Sequence, residues 1–376
     1  MTAAAPPLDP RNPVVPFTLE VGGKPLYAQT LLRHLPGKRI VVAGEWDGRQ
    51  IVAKIYIDPK RAHVHAAREA AGMKAMADRG VATARLLAQA HSNSILSLVF
   101  EYLRDTETAL HRWQVASSLV EQKTVMNELV RTVASLHASG LVQEDLHLRN
   151  FLIGGGRTYT LDGASIKIVN RSAVRFSKAL DNLALLFAQV DSKFDALIED
   201  SYKEYIAQLG NEFSQEDVIR LHRAVQRRRE RRSRDHLAKL FRSCTAFETD
   251  LNANRFWVID RRYDSAALRA FLENPHEMLR EARILKDGRT STVATIRLDG
   301  RQLLVKRYNI KSPWHALKRS IQRTRAAVSW HNAHVLQLCG FATPQPVALL
   351  ETRRGLLKHV SYFITEYVDA PDCYYL

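Results

Sequence analysis

The chain has 376 residues, 46% of them hydrophobic and 25% charged, with no Gly/Ser-rich or low-complexity tract. This excludes an intrinsically disordered protein and implies more than one hydrophobic core. With 55 Lys and Arg against 39 Asp and Glu, the formal charge of +16 favours anionic partners without choosing among nucleic acid, lipid surface and phosphorylated substrate. Cys244, Cys339 and Cys373 are too few for a disulfide framework and too far apart for a zinc cluster, and the most apolar stretch, Leu183–Val190, is far shorter than a membrane span; a cytoplasmic protein is expected.

In chain order, residues 1–30 read as an arm and lead-in, loosened at the start by Pro6, Pro7, Pro10 and Pro13. The apolar pattern then predicts strands at Leu31–His34, Arg39–Trp46 and Gln50–Tyr56, with turns at Pro36-Gly37-Lys38 and at Asp47-Gly48, a strong hairpin dipeptide. A helical pattern from about Arg61 to Arg79 ends at Gly80, a C-terminal capping residue. Another strand pair runs to Leu96–Phe100, and helical patterns fill Val115–Ser139. The fold class is α+β: a small antiparallel sheet with one helix over 31–102, then a helical region over 103–275.

The chain repeats itself over 276–376. Asp47-Gly48-Arg49-Gln50-Ile51-Val52-Ala53-Lys54 recurs as Asp299-Gly300-Arg301-Gln302-Leu303-Leu304-Val305-Lys306. Gly80-Val81-Ala82-Thr83 recurs as Gly340-Phe341-Ala342-Thr343, and Phe100-Glu101-Tyr102 as Thr365-Glu366-Tyr367. Three matches in the same order imply a second copy of the small lobe. It stops soon after Glu366-Tyr367, where the first copy goes on to its helical region and catalytic loop, and is expected to be either truncated there or an accessory module without chemistry of its own.

The residues that carry chemistry fit phosphoryl transfer, which needs positioning and charge neutralisation more than covalent chemistry. Lys54 ends the strand Ile51-Val52-Ala53-Lys54, resembling the Val-Ala-Ile-Lys strand of kinases, and Glu69 follows on the next helix as its ion-pair partner. The run Gln143-Glu144-Asp145-Leu146-His147-Leu148-Arg149-Asn150 resembles a kinase catalytic loop, with Asp145 as base and Asn150 as metal ligand at the Asp-x-x-x-x-Asn spacing. Asp162-Gly163, after a short strand, resembles Asp-Phe-Gly without its middle residue and offers a second metal ligand. Phe100-Glu101-Tyr102-Leu103 falls at the expected hinge, with backbone groups of Glu101 and Leu103 for adenine, and Asp181 is the candidate brace behind the loop. Gly37 and Lys38 offer amides and charge to phosphates. Gln143-Glu144 in place of His-Arg, and the lack of a Gly-x-Gly-x-x-Gly before Lys54, argue against an ordinary protein kinase. In the second copy Ser329 stands at the position of Glu69, so Lys306 lacks its partner and that lobe is expected to be inactive.

Together these features resemble the lipopolysaccharide core kinase family, supported in the second copy by Lys306-Arg307-Tyr308-Asn309-Ile310-Lys311 and Ser329-Trp330-His331-Asn332-Ala333-His334. The resemblance implies a protein-kinase-like two-lobed fold followed by a second small lobe. It further implies use of ATP and Mg²⁺, and phosphorylation of heptose or 3-deoxy-manno-octulosonic acid on the inner-core glycolipid at an anionic inner membrane. A pseudokinase scaffold, or a kinase for another hydroxyl, is the alternative. Two basic segments suit a membrane surface or a solvated, packed helix equally: Arg227–Arg234, and the Trp-bearing stretch from Lys311 to Arg325. No nucleic-acid recognition module is evident, so nucleic acid is not an expected partner.

Overall fold

The computed structural model describes residues 8–10, 13–92, 95–170, 172–309, 322–354 and 357–370. Most of the expected interfacial helix, and Cys373, lie outside the described residues. The chain forms two compact units, Met1–Arg228 and Arg229–Leu376.

In the first unit, strands β1 (Phe17–Val21), β2 (Lys24–Leu35), β3 (Arg39–Trp46), β4 (Arg49–Tyr56), β5 (Leu86–Ser92) and β6 (Ile95–Glu101) form an antiparallel sheet in the order β1-β2-β3-β4-β6-β5. The sheet starts earlier than the sequence pattern suggests, within the span expected to be a lead-in. The Gly22-Gly23 turn, with both residues at positive φ, closes a β1–β2 hairpin whose Phe17, Val21, Leu26 and Ala28 are fully buried. Asp47 and Gly48, at φ 52° and 71°, make the expected two-residue turn between β3 and β4.

Strand alternation decides where the chemistry points. Ile51, Ala53 and Ile55 of β4 enter a core with Phe17, Ile40 and Val42, so Lys54 and Tyr56 face the other side of the sheet. There helix α1 (Ala62–Asp78) packs through Ala66, Met73 and Met76 against Tyr56, Leu98 and Phe100. The helix stops at Gly80, in a left-handed conformation, as Val81 N–H bonds Met76 O at 3.0 Å.

The rest of this unit begins with β7 (Glu107–Thr108), α2 (Ala109–Val115) and α3 (Leu119–Ala138), each helix N-capped by a side chain, Thr108 and Ser118. Four short strands follow: β8 (Leu141–Gln143), β9 (Phe151–Gly154), β10 (Arg157–Thr160) and β11 (Ile166–Ile168). β9 pairs with β10 and β8 with β11, so the β8–β9 turn containing Asp145 and the β10–β11 turn containing Asp162 link the same two strand pairs. Helices α4 (Phe176–Phe187), α5 (Leu197–Leu209) and α6 (Gln215–Leu237) pack with α3 on one core that includes Leu129, Phe151, Leu183, Tyr202 and Leu221.

The second unit holds β12 (Phe247–Leu251), β13 (Arg255–Asp260), α7 (Ala266–Glu273), α8 (Pro275–Met278), β14 (Arg283–Asp287), β15 (Ser291–Leu298), β16 (Arg301–Tyr308), α9 (Arg325–Leu338), β17 (Pro346–Arg354) and β18 (Leu357–Glu366). Its sheet order is β12-β13-β17-β18-β16-β15-β14. Read from β14, this runs β14-β15-β16-β18-β17, the order β2-β3-β4-β6-β5 of the first unit, with the helix again between the third and fourth of these five strands in sequence. The β15–β16 turn repeats the left-handed pair, Asp299 at φ 49° and Gly300 at 74°. Strands β12 and β13 and helix α7 belong to this sheet unit, although residues up to 275 read as helical region from the sequence. Among the described residues no helix is long and apolar enough to cross a membrane.

Candidate functional site

Glu69 organises the first unit's site. Its carboxylate is fully buried, makes an ion pair with Lys54 Nζ, and accepts the N–H groups of Gly163 and Ala164, both at 3.2 Å. A buried carboxylate is tolerable because each oxygen has a donor and one donor is charged. The approach needs two glycines. Gly72 lies one turn after Glu69 with the Gly163 backbone against it, and a Cβ on either residue would collide with the other segment. Gly72, unremarkable in the sequence, and Gly163 of the Asp-Gly pair together let α1 reach the Asp162 turn.

Asp162 itself is left-handed, at φ 63° and ψ 68°, an uncommon conformation for a residue with a side chain. Its Oδ2 accepts from Ser165 Oγ at 2.7 Å. Facing segments are laced to it: Gln143 Nε2 donates to Leu161 O at 2.8 Å, Leu161 N–H to Asn150 O at 2.7 Å, and Glu144 N–H to Ser165 O at 2.8 Å. Gln143, which departs from the kinase His, thus does a structural job, tying the Asp145 strand to the strand that delivers Asp162. Glu144 pairs on the surface with Lys167.

Within the catalytic-loop segment, Asn150 Nδ2 donates to Asp145 O at 2.9 Å and lies 3.5 Å from Asp145 Oδ2. That bond turns the amide oxygen of Asn150 away from Asp145. Asn150 Oδ1 and Asp162 Oδ1 are hard oxygen donors, the type Mg²⁺ prefers, and a site with few protein ligands suits an ion that keeps water and phosphate oxygens. Among the described residues no group of three or more His, Cys, Asp or Glu is arranged to hold a metal ion.

The brace behind the loop is Asn182, one residue from the expected Asp181. Asp181 is largely exposed, 4.0 Å from Arg227, because it sits on the outer face of α4. Asn182, 5% exposed, donates from Nδ2 to Gln143 O at 2.9 Å and turns Oδ1 to His137 Nε2 at 3.0 Å. His137 therefore carries its proton on Nε2 and accepts at Nδ1 from the Tyr205 hydroxyl at 2.7 Å. Burial holds the His137 pKa down at about 4, partly opposed by the Asn182 bond, and burial raises that of Tyr205.

At the far end of the cleft the expected nucleotide groups are partly committed. Glu101 N–H bonds Arg85 O at 3.0 Å, and Leu103 O accepts from Thr106 Oγ1 at 2.9 Å. Gly37, at φ 67°, and Lys38 form the β2–β3 turn, with Lys38 N–H on Leu35 O and Lys38 O on Ile57 N–H. The neighbour Arg39 reaches inward instead, its guanidinium 5.8 Å from the Tyr56 ring. Burial raises the pKa of Tyr56; Glu69 and Asp162 raise it further, while Arg39 opposes them.

In the second unit the matching helix position, Ser329, bonds the Tyr308 hydroxyl at 2.6 Å. Lys306 lies 5.5 Å from the Tyr308 ring and has no ion pair among the described residues.

No family model and no curated protein matches this chain. Among solved structures it is similar to the BubR1 kinase domain, at 14% identity and a TM-score of 0.35, covering 41% of this chain and 51% of that one, so the match spans about half of the BubR1 structure. It is similar also to the kinase domain of PknI from Mycobacterium tuberculosis, at 14% identity and a TM-score of 0.35, covering 55% of this chain and 97% of that one.

Proposed function

We propose that the first unit is an ATP-dependent phosphotransferase acting on an alcohol group, and that the acceptor is a sugar hydroxyl, heptose or 3-deoxy-manno-octulosonic acid, of the lipopolysaccharide inner core. The observation that carries the reading is the Glu69 carboxylate, bonded at once to Lys54 and to the two amides that follow Asp162. Phosphoryl transfer needs this coupling, since the lysine that orients the phosphates and the turn that presents a metal ligand must be held in one register.

In this reading Lys54 orients the α- and β-phosphates, and backbone groups at Glu101 and Leu103 take the adenine. Magnesium, held by Asn150 and Asp162, supplies charge neutralisation at the phosphate oxygens. Asp145 accepts the hydroxyl proton as the acceptor oxygen bonds to the γ-phosphorus and ADP leaves with the electrons of the broken P–O bond. The sugar acceptor and the anionic membrane surface rest on the family resemblance and on the charge of +16, since each Lys or Arg near an anionic leaflet contributes about 1 kcal/mol.

Purified wild type and Asp145→Ala are compared on dephosphorylated core glycolipid with ATP and Mg²⁺, alongside mass spectrometry of core oligosaccharide from a strain lacking the protein. A phosphate missing from the strain and restored only by wild type is the expected result. Equal transfer by both proteins would overturn the catalytic assignment, and a core with all its phosphates would overturn the acceptor. A second reading, a non-catalytic binding role, applies to the second unit alone and is favoured by Lys306 having no carboxylate partner among the described residues.

A further inference from the structure

A cleft of about 690 Å³ opens in the first unit beside the C-terminal half of α1; of the residues assigned to phosphotransfer it shares Glu101 and Leu103, whose backbone groups are proposed for adenine, and none of Lys54, Glu69, Asp145, Asn150 and Asp162. Its floor is apolar, with Met73, Ala77, Val81 and Leu103 among its residues, and its volume is within the usual range for small-molecule sites. The charged groups are Lys74, Arg85 and Arg157 against one carboxylate, Glu101. Lys74 is paired with Asp78 at 2.8 Å and Arg85 with Glu101 at 3.8 Å, whereas Arg157 has no ion pair among the described residues. An apolar floor under an excess of guanidinium and ammonium groups is complementary to an apolar body with an anionic head.

The same walls lead to the catalytic elements. Met73 is one turn beyond Glu69 on α1. Thr83 donates to Thr160 O at 2.7 Å, and Thr160 N–H bonds Ala82 O at 2.8 Å, which ties the 80–86 segment to β10 two residues before Asp162. The second unit has a cleft of about 340 Å³ along the corresponding face of its helix, with His334 and Gln337 at the positions of Lys74 and Ala77. The repeated helix therefore presents a cleft wall in both copies.

We propose that the 690 Å³ cleft binds a small amphipathic anion, an apolar body bearing a phosphate, sulfonate or carboxylate, and that occupancy stiffens α1 and the Asp162 turn. That this stiffening bears on phosphotransfer rests on the phosphotransferase reading; binding and stiffening themselves do not, and neither test uses nucleotide or turnover. The full chain is titrated by calorimetry with decyl phosphate below its micelle concentration, with decanol and decyltrimethylammonium as neutral and cationic counterparts. Saturable one-site binding of decyl phosphate alone is expected, weakened at least about tenfold in Arg157→Glu and lost in Ala77→Trp, whose indole fills the cleft from an exposed helix position. Hydrogen exchange over Leu161–Ser165 slows on binding in the wild type and stays unchanged in Ala77→Trp. Equal binding of all three amphiphiles, or wild-type affinity in the Arg157→Glu protein, overturns the site. Binding without slowed exchange overturns the coupling. Should Ala77→Trp fail to fold, the exposed Arg157→Glu change and the amphiphile series still decide.

Discussion

The two units share a strand order, a hairpin turn and a helix placement, yet only one buries a carboxylate under its lysine. In the first, Glu69 joins Lys54 to the backbone behind Asp162; in the second, Ser329 at the same helix position spends its hydroxyl on Tyr308, and Lys306 lies beside an aromatic ring. A sheet-and-helix scaffold built by hydrophobic alternation survives the loss of the polar group it once positioned, because the core residues on the other strand face do not depend on that group. In the first unit the segments that carry Asp145 and Asp162 follow the last strand of the sheet.

The comparison is broken most forcefully at the base. Asp145→Ala should lower phosphotransfer on the order of 10²- to 10⁴-fold with little change in melting temperature, whereas Lys306→Ala in the second unit should leave the rate unchanged. Steady-state assays with matched thermal melts check both. If Lys306→Ala cost as much as Asp145→Ala, the chemistry would not be confined to the first unit.

Next in size is the helix position itself. Glu69→Ala strands a largely buried lysine and two amides, at a cost of about 3 kcal/mol in urea unfolding together with loss of nucleotide-dependent stabilisation. Ser329→Glu supplies Lys306 with a carboxylate but no Asp162 turn to hold, so no new nucleotide-dependent stabilisation should follow. A gain there would mean that the second unit needs only one residue to bind nucleotide.

Acid should weaken both units through their buried histidines. Burial holds His137 and His334 at about 4, with the neighbouring His236 adding to the effect on His334, against about 6.5 when unfolded. The unfolded chain therefore binds protons between pH 6.5 and 4 while the folded chain does not. The stability is fully present above pH 6.5 and falls as pH drops towards 4, by up to about 1.4 kcal/mol per pH unit for each histidine. Urea midpoints across this window, compared with His137→Gln and His334→Gln, assign the loss to each unit; an unchanged slope in both variants would remove these histidines as the cause.

The smallest contrast lies within α4. Asn182→Ala should cost about 2 kcal/mol by orphaning Gln143 O and His137 Nε2, while the neighbouring Asp181→Ala, on the solvent face, should stay within about 0.5 kcal/mol. Urea midpoints of the two variants that coincide would contradict the brace.

Much of this was legible in the chain. Alternation and the Asp47-Gly48 dipeptide mark β3 and β4, and the repeat carries the same pattern to β15 and β16, where the strand order agrees. The β1–β2 hairpin was passed over despite its Gly22-Gly23 turn because the prolines before it read as the end of order. Asp181 is the brace expected from the sequence, but a one-residue step on a helix turns a side chain by about 100°, and only packing decides which of two adjacent polar residues is inside.

By itself the sequence determined the local elements, the duplication and the identity of the groups able to carry charge, because strand and helix periodicities and turn dipeptides act over a few residues. Only the tertiary structure decided that Gly72 and Gly163 meet, that Gln143 and Asn182 lace the loop from behind, and that Glu69 answers to Lys54 and Gly163 at once. These are contacts between residues from 15 to 94 positions apart, and they depend on how closely two backbones approach, which no local pattern encodes.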